Sequence, residues 1–109
     1  MALDVQKLAD DLAGKMKPIL GQRWDEVQQY AKEEAAKLAA VLAKIELEKV
    51  RGLITEQQAN ILFDMQKNAS TAVIAAVRGI GDMAAVQAFN VALAELKDPI
   101  NKALGFELL

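Results

Sequence analysis

Between Trp24 and Ile45 the main apolar positions are Trp24, Val27, Ala31, Ala35, Leu38, Leu42 and Ile45, in steps of three and four. Apolar residues on one face of a β-strand recur at every second position, whereas steps of three and four line one face of an α-helix. No glycine or proline interrupts residues 22–51, so the spacing predicts one helix over Gln22 to Arg51, about 45 Å long at ~1.5 Å per residue. The stripe is coiled-coil-like but of modest strength, because two of its positions are only alanine. Glu33 and Lys37 stand in the favoured order for an i,i+4 pair. Lys49 and Arg51 suit the negative end of the helix, and Gly52 suits a C-terminal cap.

The flanking segments carry the same kind of signal. Val5, Leu8, Leu12 and Met16 form one stripe, with Lys7, Asp10, Asp11 and Lys15 outside it, which predicts a helix from Leu3 to Lys17. Pro18 disfavours helical geometry at Lys17, so PILG is expected to be a short connection. In LITEQQ, Thr55 is a good N-cap and Gln58 completes a capping box, opening a helix expected to reach at least Val77. In KDPINKALG, Asp98 as N-cap, Pro99 at the first helical position, Lys102 near the end and Gly105 after it predict a short terminal helix. Strand signals are nearly absent. The expected fold is all-α: a compact antiparallel bundle of four main helices plus a short C-terminal helix, forming a single domain over residues 1–109.

Residues 69–94 are the most ambiguous part. They contain two charged residues, Arg78 and Asp82, on either side of Gly79 and Gly81. With 100° per residue, Asp64, Lys67, Thr71, Arg78 and Asp82 share one stripe. Continued past Asp82, that stripe becomes Ala85, Phe89, Leu93 and Leu96, while Gln87, Asn90 and Lys97 lie opposite. Either the helix breaks or kinks at Gly79–Gly81 and restarts with Asp82 as N-cap, or one long helix passes from a wet into a buried setting. The break is preferred, since each interior glycine costs ~1 kcal/mol. A membrane span is disfavoured. The longest uncharged pieces, Ala69–Val77 and Met83–Ala94, have nine and twelve residues, against the roughly 20 a span needs.

The composition removes several chemistries. The chain has no cysteine and no histidine. A disulfide framework, Ser-His-Asp or Cys-His catalysis and the usual zinc sites are therefore excluded. The neighbouring acids Asp10–Asp11, Asp25–Glu26 and Glu33–Glu34 point about 100° apart on a helix and are read as solvated. No metal or cofactor is expected. A net charge of -2 with interleaved bases and acids gives no support for nucleic-acid binding. The N-terminal MALDVQKLADDLAGK carries early acids and no continuous apolar stretch, unlike a secretory signal, so a cytoplasmic location is expected.

Residues 1–51 carry 18 charged side chains and residues 52–109 carry 10. The second half is thus more apolar than one amphipathic stripe requires, and Leu47, Val50, Phe106, Leu108 and Leu109 add to the surplus. The leading expectation is a non-enzymatic structural or protein-interaction module that forms homo-oligomers through apolar helix faces. Ile80, Met83, Phe89, Leu93 and Phe106 are the candidate interface. Arg78 and Asp82 are the candidate ion pair that fixes register. The alternative is a carrier of an apolar ligand, or a peripheral protein of lipid surfaces. An enzyme would have to rely on Asp, Glu, Lys or Tyr, and no converging set is visible.

Overall fold

The predicted stripes become four α-helical segments. In the computed structural model, which describes residues 3–109, these are α1 (Val5–Leu20), α2 (Trp24–Val50), α3 (Glu56–Ala75) and α4 (Gly81–Leu104). One turn of 3₁₀ helix, Gly21–Arg23, joins the first two. Residues 1 and 2, part of the expected domain, lie outside the described residues. The model is 84% helical and no strand forms among the described residues, which establishes the all-α class. The radius of gyration is 13.6 Å, against ~13 Å for a compact chain of this length. Helix α2 alone, about 40 Å at ~1.5 Å per residue, accounts for most of the 43 Å long axis.

All seven positions of the α2 stripe face inward. Val27, Ala31, Ala35, Leu38, Leu42 and Ile45 are fully buried, and Trp24 packs half-buried at the end. Helix α1 packs against α2 and α4, and α3 packs against the same two. Leu12 and Met16 of α1, Phe63 and Ile74 of α3, and Phe89 and Ile100 of α4 join the α2 stripe in one core. Alanines in the core, among them Ala9, Ala13, Ala39, Ala88 and Ala92, allow the helix backbones to approach closely.

Several expected boundaries are corrected. Helix α1 does not end at Lys17 but runs through Pro18 to Leu20. The proline removes one hydrogen bond, to the carbonyl of Gly14, and Gly14 is exposed, so water can take the vacant acceptor. Burial of Leu20 and the bond from the Gly21 N–H to the Lys17 carbonyl hold the last turn. Helix α2 starts at Trp24, not Gln22, and ends at Val50. Lys37 pairs with Glu34 at 3.0 Å and not with Glu33, which accepts from Gln29 at 3.2 Å. The short C-terminal helix does not exist separately: α4 continues through Asp98 and Pro99 to Leu104, and Asp98 caps nothing. Ile100 and Leu104 extend the buried stripe of α4, and their burial keeps the helix going past the proline.

The Thr55–Gln58 capping box is present, with the Gln58 N–H donating to Thr55 Oγ1 at 3.1 Å and the Thr55 N–H to Gln58 Oε1 at 2.9 Å. Beyond Ala75 the chain leaves the helix, two residues before Val77. Gly79 and Gly81 take φ of +87° and +78°, a left-handed geometry foreign to a helix interior. Asp82 is not the N-cap of α4. Ile80 holds that position without a side-chain bond, and Asp82 sits in the first turn, where its charge favours the helix start.

Candidate protein interface

The structure divides the sequence-predicted interface. Phe89 and Leu93 are 1% and 4% exposed and belong to the core of this chain, so they are not free to meet a partner. The stripe Ala85, Phe89, Leu93 is covered by other helices of the same chain. Ile80 is half-buried against that core. Met83 alone is bare, at 88% exposure.

Phe106 is also absorbed by the fold. It packs half-buried on the core, with the Lys49 ammonium 5.6 Å from its ring centre. The tail folds back because the Asn101 side chain grips it. Asn101 Oδ1 accepts from the N–H groups of Leu108 and Leu109, both at 3.0 Å, and its Nδ2 donates to the Leu109 carbonyl at 3.2 Å. Much of the surplus attributed to a partner is therefore used internally.

Arg78 and Asp82 are both exposed, and the ion pairs among the described residues do not join them. The i,i+4 rule holds only along a continuous helix, and the chain turns between these two residues. Of the six paired acids, five are at least partly exposed, but Glu34 is turned inward at 3% exposure with the Lys37 ammonium closing over it. Glu46 is likewise buried. Its Oε1 accepts from the Leu3 N–H at 3.4 Å and its Oε2 has no partner.

The exposed large apolar side chains are isolated at Val5, Tyr30 and Val50 and paired at Met83 and Val86; the rest lie on or beside the outer face of α3. This helix of 20 residues buries only four of them, Ala59, Phe63, Ser70 and Ile74. One flank carries Asn60, Asp64, Asn68 and Thr71. The other carries Ile61, Leu62, Met65, Ala69, Ala72, Val73 and Ala76, all exposed and none charged. Ile61 and Met65 are 54% and 65% exposed, and Leu53, just before α3, is 68% exposed. Two shallow grooves follow this flank along α2. One is lined by Leu53, Ile54, Ile61 and Leu62 with Glu48 and Gln58 at its rim, the other by Val41, Leu62, Met65 and Ala69 with Lys44 and Gln66. Leu62 lines both. A third groove, on α4, is lined by Met83, Val86 and Val91 with Asp82, Gln87 and Asn90.

The α3 flank was readable in principle. On a wheel, Ile61, Leu62, Met65, Ala69, Ala72, Val73 and Ala76 span about 120°, wider than the face that α3 buries.

No helix among the described residues is long and apolar enough to cross a membrane. No three metal-ligating side chains converge among the described residues. The fold and surface define a class: an all-helical protein with an uncharged apolar helix face left open. Comparison with family models, curated proteins and solved structures returned no match to the chain.

Proposed function

We propose that the chain is a compact antiparallel helical bundle acting as a non-enzymatic structural or protein-interaction module, and that it self-associates. The observation that carries this is the uncharged outer flank of α3. A monomer rarely leaves a contiguous apolar patch of more than a few hundred Å² in water, and larger ones mark interaction sites. Sedimentation or light scattering at micromolar concentration tests the reading. Mass should rise with concentration. A stable monomer that binds no hydrophobic dye defeats it.

A second reading rests on the two grooves that share Leu62. In it, the same surface takes an apolar ligand or the face of a lipid layer. Native mass spectrometry of the purified chain and vesicle flotation test it. A chain that carries no small molecule and stays at the bottom of the gradient excludes it.

A further inference from the structure

We infer that a second copy of the chain covers the outer face of α3, packed antiparallel about a two-fold axis close to Ala69. This rests on the self-association reading above and adds the surface and the geometry. The stripe is graded in size along the helix. Ile61, Leu62 and Met65 fill its N-terminal half, while Ala69, Ala72, Val73 and Ala76 fill the C-terminal half. An antiparallel copy sets Ile61 against the partner's Ala76 and Met65 against the partner's Ala72. The two-fold axis repeats both contacts in the other direction, as a self-complementary interface requires. A parallel copy would set bulk against bulk and leave gaps between alanines.

The extent of the face agrees. Leu53, Ile61, Leu62, Met65 and Val73 are 68%, 54%, 36%, 65% and 36% exposed, several hundred Å² of apolar surface together, to which the exposed alanines and the polar rim add toward the ~800 Å² per partner of a standard interface. The charges on the α2 side agree as well. An antiparallel two-fold brings each flank against its own copy, so an unbalanced rim would repel itself. The α2 rim is already neutralised: Lys37 pairs with Glu34 at 3.0 Å, and Lys44 with Glu48 at 3.8 Å.

The absence of cysteine makes single-cysteine variants direct reporters. Oxidised Ala69→Cys should form a disulfide-linked dimer, since a residue beside the axis comes within the ~4.4–6.8 Å Cα separation a disulfide spans. Met83→Cys, on α4, should not. Met65→Lys should weaken dimerisation by about 100-fold or more, with helix content and thermal midpoint at low concentration unchanged, because Met65 is exposed in the monomer. A dimer that cross-links through Met83→Cys and not Ala69→Cys, or that ignores Met65→Lys, overturns the α3 pairing and leaves self-association standing. A chain that stays monomeric at roughly 100 μM overturns both. If that monomer also floats with anionic phospholipid vesicles, the face belongs to a lipid surface.

Discussion

Glycine-to-alanine substitutions separate a broken helix from a continuous one by the sign of their effect. Gly14 lies within α1 with open space around it. Gly14→Ala should therefore stabilise by about 0.5–1 kcal/mol, the usual difference between these residues in a helix. Gly81 also faces open space, but its φ is +78°. An added Cβ there meets the left-handed penalty of about 1–2 kcal/mol with nothing to offset it. Gly79 has φ +87°, and its added Cβ would stand 2.7 Å from Arg23 Cζ and 2.8 Å from Nη2. The guanidinium is the free end of a flexible chain and can move aside. Doing so disturbs its exposed pair with Glu26 at 3.1 Å, worth a few tenths of a kcal/mol. Gly79→Ala should therefore destabilise by roughly 1.5–2.5 kcal/mol. Thermal unfolding followed by circular dichroism resolves these differences, at about 4–8 °C per kcal/mol for a chain near this size. All variants must be compared at one protein concentration, because self-association raises the midpoint. If helix ran unbroken from residue 56 to 104, all three substitutions would stabilise. A rise in midpoint for Gly79→Ala or Gly81→Ala refutes the turn and the division of α3 from α4.

Three further outcomes follow from particular contacts. Phe89→Ala should cost about 3–5 kcal/mol in urea unfolding, because Phe89 is a core residue at 1% exposure; a small loss would return it to the surface. Pro99→Ala should stabilise by about 1–3 kcal/mol in the same assay, restoring the missing bond to the Glu95 carbonyl at an exposed site; a null effect would fit a helix that starts at Pro99. Asn101→Ala should cost about 1–2 kcal/mol and speed hydrogen exchange at the Leu108 and Leu109 amides, which the Asn101 side chain now holds; unchanged exchange would mean the tail is held by packing alone.

The fold was legible where burial and local propensity agree. The α2 stripe was readable from spacing alone because burial of its Leu, Ile, Val and Ala side chains reinforces an uninterrupted run of helix formers. The capping box was readable because it closes within four residues, without help from the rest of the chain. The two prolines misled for a common reason. A local rule says that the helix stops before proline, and it weighs ~3 kcal/mol or more, from the lost hydrogen bond and from the ring's crowding of the carbonyl four residues back. At Pro18 the freed Gly14 carbonyl is on an exposed residue, and the residues beyond bury Leu20; at Pro99 the freed carbonyl belongs to exposed Glu95, and the residues beyond bury Ile100 and Leu104. Burying a leucine or isoleucine contributes roughly 1.5–3 kcal/mol, and that gain depends on the neighbouring helices, which no local pattern contains.

The candidate surface was misplaced because apolar content does not say which side of a helix is covered. Ala85, Phe89 and Leu93 are a dry continuation of a wet stripe, yet other helices of the same chain cover that stripe, and the exposed apolar side chains of α4, Met83 and Val86, lie off it. The tail residues Phe106, Leu108 and Leu109 counted as surplus until Asn101, an unremarkable polar residue in the sequence, tied them down through three hydrogen bonds. Subtracting what the fold consumes leaves Val50, the Met83 and Val86 pair and, with more exposed apolar side chains than either, α3. It is the helix with the fewest buried residues for its length, and the one whose uncharged flank is broader than its buried face. Its charged residues Asp64 and Lys67 mark the other flank, so the open flank has no charge to keep it wet. A helix with two apolar faces, one filled by its own chain and one left bare, is unfavourable in water unless something covers the second. The grading of that face, bulky toward Ile61 and small toward Ala76, is the feature that selects a reversed copy of the same helix over a partner of arbitrary shape.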